Sequence, residues 1–359
     1  MVKLYSPLTA LILVFGLAAS SRLPAQVESA ESSSPSGFTW ISHGRIEGHL
    51  AVNYSPAAAF SPESSTLAVA SEDKVVLMGL GDRTAMKFQR PRIQGLTELQ
   101  IQSANFLSPT RLLLLGTGVI PAQKKGDATV TPLLAFQWNI QDDTLYGKVN
   151  AVNMKEGGGR PRYLPHISFL GMYRDSTFEL WNPGSDRKTW LALPSLTRVP
   201  NVFEISPAGK WLLLAQIEGN SSADPIVVRA LDGQFVDTLR DHRGTVLSMS
   251  FSRDSTKVVT TCEDGNVRVY SAPDWKLLAT LSGHEGPVHW AEFSPDGHWI
   301  ASAGEDRTVR IWSSAEGKLE QTLSESQAPV LTVAFSPNGE YVAASSEQTV
   351  FVWQRVRGN

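Results

Sequence analysis

Three pairs of adjacent carboxylates are the residues of this chain best suited to chemistry: Glu72-Asp73, Glu263-Asp264 and Glu305-Asp306. Two acids held side by side can divide general-acid and general-base duty, as in glycoside hydrolysis. His284, His289 and His298 stand close in sequence and could be read as metal ligands, but their spacing matches no compact ligand pattern. Gly157-Gly158-Gly159 runs into Arg160-Pro161-Arg162 and lacks the Gly-Lys-Ser/Thr ending of a phosphate-cradling loop. Neither a Gly-x-Ser-x-Gly nucleophile turn nor a Cys-x-x-Cys pair occurs. The last two acid pairs lie 42 residues apart. One reaction needs one acid pair, so a pair that recurs at a fixed step belongs to a repeated scaffold.

The elements around the acids repeat at the same step. Phe251-Ser252-Arg253-Asp254-Ser255 recurs as Phe293-Ser294-Pro295-Asp296-Gly297 and as Phe335-Ser336-Pro337-Asn338-Gly339. His242 and His284 each stand nine residues before their phenylalanine. Downstream, Val258 to Cys262 and Ile300 to Gly304 are runs of mostly small residues, followed by the acid pair. Then come Val267-Arg268-Val269-Tyr270 and Val309-Arg310-Ile311-Trp312. Short β-branched and aromatic runs, split by Gly-, Pro- and Asp-rich turns, predict strands joined by hairpins. A period of 40–45 residues predicts one four-stranded sheet per repeat, which must stack on its neighbours to bury both faces.

These motifs resemble the WD40-repeat family, most specifically from about residue 241 onward. The resemblance implies a hydrogen-bonded tetrad in each repeat: His284, Ser302, Asp306 and Trp312 in one, His242, Thr260, Asp264 and Tyr270 in another. The last repeat departs from the pattern, with Gln327-Ala328-Pro329 in place of the histidine motif, Ala344 for the hydroxyl and Glu347 for the Asp. It is expected to lose the network and keep only Trp353 and packing. Fainter copies follow Gly48-His49 and Phe60-Ser61-Pro62, Leu107-Ser108-Pro109 with Trp138, Asp175 to Trp181, and Ile205-Ser206-Pro207. The expected fold is therefore all-β, a seven-bladed WD40-like β-propeller. The strand predicted over Phe38–Ile46 stands where the outer strand of a preceding repeat would be, and is expected to close the last blade.

Three segments are expected: a signal peptide over residues 1–25, a flexible linker over 26–37, and the propeller over 38–359. Lys3 followed by the apolar run from Leu8 to Ala19 and then small residues has the form of a secretory signal, and is too short to span a bilayer comfortably. Gln26 to Gly37 is rich in Ser, Glu and Pro. The expected location is secreted or periplasmic, membrane-tethered if the leader is uncleaved, with no stable insertion after its removal. Cleavage after residue 25 would take the net charge from −3 to −5, so there is no basic footprint for nucleic acid. Cys262 is the single cysteine and is read as a small buried hydrophobe. Asn53 and Asn220 match glycosylation acceptors, relevant only in a eukaryotic secretory pathway.

In the family, partners are usually held on the face carrying the loops between blades. By position, that face here takes Leu247, His289 and Leu331, and the residues preceding the turn acid: Glu72, Arg174, Glu263 and Glu305. The loops entering blades two and three add Arg90, Arg92, Arg160 and Arg162. An apolar centre inside a rim divided between acid and base suits a protein or peptide partner. The expected function is a non-enzymatic scaffold, a monomeric ring without cofactor or metal. The alternatives are an exported propeller hydrolase or lyase working in the central channel, or glycan and surface-ligand binding through Trp190, Trp275 or Trp299.

Overall fold

The computed structural model describes residues 38–357, apart from 48–57, 72–73, 82–85, 120–132, 153–161, 165–168, 175–176, 183–186, 193–199, 216–224 and the single positions 90, 92, 94, 95, 97, 143 and 201. The signal-peptide and linker readings fall outside the described residues.

Twenty-eight strands and no helix occur among the described residues. β1 is Phe38–Glu47. The first sheet holds β2 (Ala58–Phe60), β3 (Thr66–Ser71), β4 (Lys74–Gly79) and β5 (Met86–Gln89). The second holds β6 (Glu98–Ser108), β7 (Arg111–Val119), β8 (Leu133–Asn139) and β9 (Thr144–Val152). The third holds β10 (Arg162–Leu164), β11 (Phe169–Arg174), β12 (Thr177–Asn182) and β13 (Arg187–Ala192). The fourth holds β14 (Val202–Ile205), β15 (Trp211–Ala215), β16 (Ile226–Ala230) and β17 (Phe235–Leu239). The fifth holds β18 (Val246–Phe251), β19 (Lys257–Cys262), β20 (Asn266–Ser271) and β21 (Leu277–Ser282). The sixth holds β22 (Val288–Phe293), β23 (Trp299–Gly304), β24 (Val309–Ser313) and β25 (Leu319–Leu323). The seventh combines β26 (Thr332–Phe335), β27 (Tyr341–Ser345) and β28 (Thr349–Arg357) with β1, which pairs antiparallel along β28.

Each sheet is an antiparallel meander, and the first strands of successive sheets lie against one another: β14 on β18, β18 on β22, β22 on β26, β26 on β2. The second strand is buried on both faces in β19, β23 and β27, whereas the fourth strands β17, β21 and β25 are largely exposed. This gradient explains the small residues of the Thr260–Cys262 and Ala301–Gly304 runs, where neighbouring sheets crowd together. Seven apolar clusters each span two successive sheets, for example Tyr173 and Phe178 with Phe203 and Leu214, and Val259 and Val269 with Phe293 and Trp312. One of them joins the seventh sheet to the first through Ile46, Val350 and Val352 on Leu67, Val69 and Met78. Each fully buried aliphatic side chain contributes about 1.5–3 kcal/mol, so the sheets hold together through their faces.

The Phe-Ser anchor sets the first turn in four of the sheets. Phe60, Phe251, Phe293 and Phe335 end first strands, and the next serine is buried in the turn. That serine's hydroxyl accepts the N–H five residues on: Thr66 on Ser61, Trp211 on Ser206, Lys257 on Ser252, Trp299 on Ser294, Tyr341 on Ser336. The fourth turn residue is left-handed, with φ of 59° to 71° at Ser64, Gly209, Ser255, Gly297 and Gly339. Glycine is favoured there, since a Cβ is strained in that region. The two serines use their hydroxyls to tie sheets together: Asn338 N donates to Ser64 Oγ and Ala208 N to Ser255 Oγ, both at 3.0 Å.

β1 is held by more than its ladder. The Gln321 amide bonds both the N–H and the carbonyl of Trp40, each at 2.8 Å, and His43 Nε2 lies 2.8 Å from the Leu80 carbonyl. Trp40 also packs edge-on against Phe335.

Candidate functional site

In the sixth sheet four side chains from four elements meet. His284 precedes β22, Ser302 lies on β23, Asp306 in the following turn and Trp312 on β24. Trp312 Nε1 donates to Ser302 Oγ at 2.8 Å, His284 Nε2 lies 2.7 Å from the same oxygen, and His284 Nδ1 sits 2.9 Å from Asp306 Oδ2. The carboxylate requires a proton on Nδ1, so Nε2 accepts from the serine, and one direction of donation runs from indole to carboxylate. Burial pulls His284 below its ordinary value against the raising effect of Asp306. Asp306 itself lies low although burial opposes this, because His284, Thr308 and the Glu285 N–H all stabilise its charge.

The fifth sheet does not reproduce this network, and the expected tetrad of His242, Thr260, Asp264 and Tyr270 is corrected. His242 Nε2 meets Thr260 Oγ1 at 2.8 Å, but its buried Nδ1 has no hydrogen-bond partner. Asp264 turns to Arg268, which bonds it through both guanidinium nitrogens at 3.1 and 2.7 Å. Tyr270 donates to Asp241 at 3.2 Å instead of to the threonine. The physical reason lies at the last residue of the small run. A Cβ added to Gly304 would sit 2.6 Å from His284 Nδ1 and 2.9 Å from Asp306 Oδ1. The matching residue, opposite Val246 as Gly304 is opposite Val288, is Cys262. Its side chain occupies the space through which the histidine would reach the acid. Burial, with Arg268 adding to it, then drives His242 down to about 4. Burial likewise pushes the Cys262 thiol up to about 11, which keeps it an inert neutral group.

The seventh sheet corrects a second expectation, since its tryptophan is not left to packing alone. Trp353 Nε1 donates to Glu325 Oε1 at 2.7 Å, and Ser42 of β1 donates to Glu325 Oε2 at 2.9 Å. Asp241, Gly283 and Glu325 follow one another at 42 residues, and in the fifth and seventh sheets, where the His-Ser-Trp chain is broken, the acid at this position takes the aromatic hydrogen bond. Ala344 and the exposed Glu347 take no part.

The expected rim residues of the last three sheets lie at the end of the strands where each sheet is entered. Leu247, His289 and Leu331 are half-buried, and Glu263 and Glu305 are exposed. His289 Nε2 pairs with Glu305 Oε2 at 2.8 Å, while Glu263 Oε2 accepts the Thr245 N–H at 3.1 Å. Arg174 ends β11 and Arg162 opens β10, whereas Glu72, Arg90, Arg92 and Arg160 lie outside the described residues. Over the fifth and sixth sheets the exposed rim positions are therefore acidic, beside the half-buried Leu247 and His289. His298, at 76% side-chain exposure, stands apart from His284 and His289 on a turn at the opposite end of the strands. Among the described residues no group of three His, Cys, Asp or Glu side chains is disposed to hold a metal. Trp275 is buried edge-on against Trp211 and Trp299 packs on the sixth-to-seventh sheet cluster; Trp190 lies on β13 opposite Glu179.

Comparison with protein families matches the WD domain, G-beta repeat, three times, at residues 233–271, 275–313 and 317–354. Residues 233–354 are WD40 repeats. No curated protein matches the chain. The three WD40 matches begin at Gly233, Trp275 and Gly317, all left-handed turn residues, so each sequence repeat opens with the outer strand of one sheet and continues into the next. The final repeat ends in β28, and the outer strand beside β28 is β1.

Sequence reasoning missed Asp241, Glu325, Arg268 and Gln321. Position alone could have found the first two, because a polar departure from glycine at one repeat position is visible once the copies are aligned. Gln321 carries no such signal, since its partner is the backbone of a residue 281 positions away.

Proposed function

We propose that residues 38–359 form a closed seven-bladed propeller that acts as a non-enzymatic scaffold, holding a protein or peptide partner over Leu247, His289 and Leu331. Seven four-stranded sheets, and seven apolar clusters between successive sheets, support the ring reading. One observation carries the functional reading: at equivalent positions of the matched repeats, the buried turn serine is constant while the rim residue changes from Leu to His to Leu. Constant positions hold the fold, and changing positions on an exposed rim are free to specify a partner. Glu263 and Glu305 flank the apolar centre and orient that partner more than they bind it, because exposed charges contribute little. The chain acts outside the cytoplasm, in a secreted or periplasmic setting, with residues 1–25 as its leader.

The test is affinity capture from the native envelope or extracellular fraction, comparing the wild type with the triple variant Leu247→Glu, His289→Glu, Leu331→Glu. The variant loses the partner while its thermal unfolding stays close to that of the wild type. Retention of every partner would overturn the choice of face. N-terminal sequencing of the mature chain tests the leader, and an intact Met1 would refute it.

A further inference from the structure

At the end of the strands opposite the rim, the turns after the first strands form a second surface, whose described junctions are filled to different degrees. Between the fourth and fifth sheets Ser255 closes the gap by accepting the Ala208 N–H, and between the seventh and first Ser64 accepts that of Asn338. Between the sixth and seventh sheets a Cβ on Gly339 would meet Pro295 Cδ at 3.8 Å, an ordinary contact. Between the fifth and sixth sheets the tie residue is Gly297, and a Cβ there would meet nothing within 4 Å. The second turn residue also changes: Pro62, Pro207, Pro295 and Pro337 are replaced in the fifth sheet by Arg253. The outcome is a notch of about 330 Å³ lined by Arg253, Asp254, Lys257, Phe293, Pro295 and Gly297, among others. That is the lower end of the size range of small-ligand sites.

The hydrogen-bonding inventory of the notch is one-sided. Asp254 is consumed by its own turn, accepting from Ser252 Oγ and from Thr256 N and Oγ1. Asp296 likewise accepts from Ser294 Oγ and His298 N, and faces Arg355 at 3.7 Å. Arg253, by contrast, is exposed and has no hydrogen-bond or ion-pair partner among the described residues, and Lys257 reaches only Ser314 Oγ at 3.4 Å. The side chains with the least engaged polar ends are therefore the two cations, beside carboxylates already held by their own turns and next to Phe293 and Pro295.

We propose that this notch is a second binding site, separate from the rim, for an oxyanion with two acceptor oxygens, either a carboxylate or a phosphoryl group. The guanidinium fork of Arg253 supplies a planar bidentate contact and Lys257 a second, point-like charge. The two turn carboxylates make the charge balance of the notch neutral, so recognition rests on paired hydrogen bonds and not on attraction of anions in general.

Backbone amide shifts of the full-length chain, titrated with inorganic phosphate and separately with acetate at constant ionic strength, test the site. At least one probe should give saturable shifts confined to residues 252–257 and 293–297, and which of the two does so assigns the chemistry. Arg253→Pro restores the residue that the other turns carry and should weaken binding about tenfold or more. Gly297→Ser fills the notch with the residue that Ser255 shows to be tolerated, and should abolish saturation. Absence of saturable shifts with both probes, or shifts that survive Arg253→Pro, would overturn the proposal.

Discussion

Replacing Cys262 by glycine should let His242 and Asp264 form the contact that the fifth sheet lacks. In the sixth sheet the same position is Gly304, whose hypothetical Cβ would lie 2.6 Å from the histidine nitrogen. The substitution exchanges a small buried hydrophobe, and about 0.5–1 kcal/mol of backbone entropy, for one hydrogen bond to a charged acceptor worth about 1.5–3 kcal/mol. Net stability at pH 7 should therefore change little; the informative quantity is its pH dependence. His242 titrates near 4 in the folded chain, against 6.5 unfolded. A histidine depressed in this way is neutral in both states above 6.5. As pH falls from 6.5 to 4 the unfolded chain takes up the proton first, and stability drops by up to roughly 3 kcal/mol. With Asp264 against Nδ1 the histidine's value should rise and part of that loss disappear, only part because burial keeps His284 below its ordinary value even with its acid in place. The assay is urea unfolding at pH 7 and pH 5, together with the pH titration of the His242 ring resonances. The variant should lose less stability than the wild type between the two pH values, and its Nδ1–H should appear as a slowly exchanging downfield signal. An unchanged ring titration would refute the claim that the cysteine separates the pair.

The reverse change, Gly304→Cys, should break the intact network and cost about 2–4 kcal/mol in urea unfolding, since it forces apart a charged hydrogen bond in a packed interior. Arg268→Met strands the Asp264 carboxylate, which Arg268 holds below its ordinary value although burial opposes this; about 3–5 kcal/mol should be lost at pH 7. That deficit should shrink as pH falls toward 4, where the unpaired acid escapes by protonation; a deficit that grows would contradict the sign. Trp275→Gly relieves a left-handed residue but removes a buried indole, and should cost about 2–3 kcal/mol by fluorescence-detected unfolding. Trp353→Phe removes the donor to Glu325 and should cost about 1–2 kcal/mol, with Glu325→Ala additive to it only if the two side chains do not interact.

The strands were legible where local chemistry is self-contained. Phe-Ser-Pro-Asp-Gly specifies a first strand, a buried serine that caps the turn and a left-handed fourth residue, and all of these bonds form within about six positions. The same holds for Asp306 and Thr308, a turn that closes on itself. The broken tetrad of the fifth sheet was not legible, because tyrosine and tryptophan look equivalent in a pattern while a cysteine one position beyond the threonine pair looks harmless. Its effect exists only where a strand, a preceding loop and a turn converge. The polar tie of Trp353 was missed for a similar reason: the family pattern directs attention to the histidine place, and the acid stands one position before it.

The three acid pairs show where the division falls. Their recurrence is a property of the sequence alone and identifies them as repeated turn residues, because hairpin chemistry is local and a 42-residue period needs no coordinates to count. What Asp306 and Asp264 do, one closing a histidine network and the other clamping an arginine, was decided by tertiary structure. The space available to a side chain depends on what the neighbouring strands bring against it. For the same reason, only the packed sheets show that β1 lies beside β28, and that the junction at Gly297 lacks the serine tie found at Ser64 and Ser255.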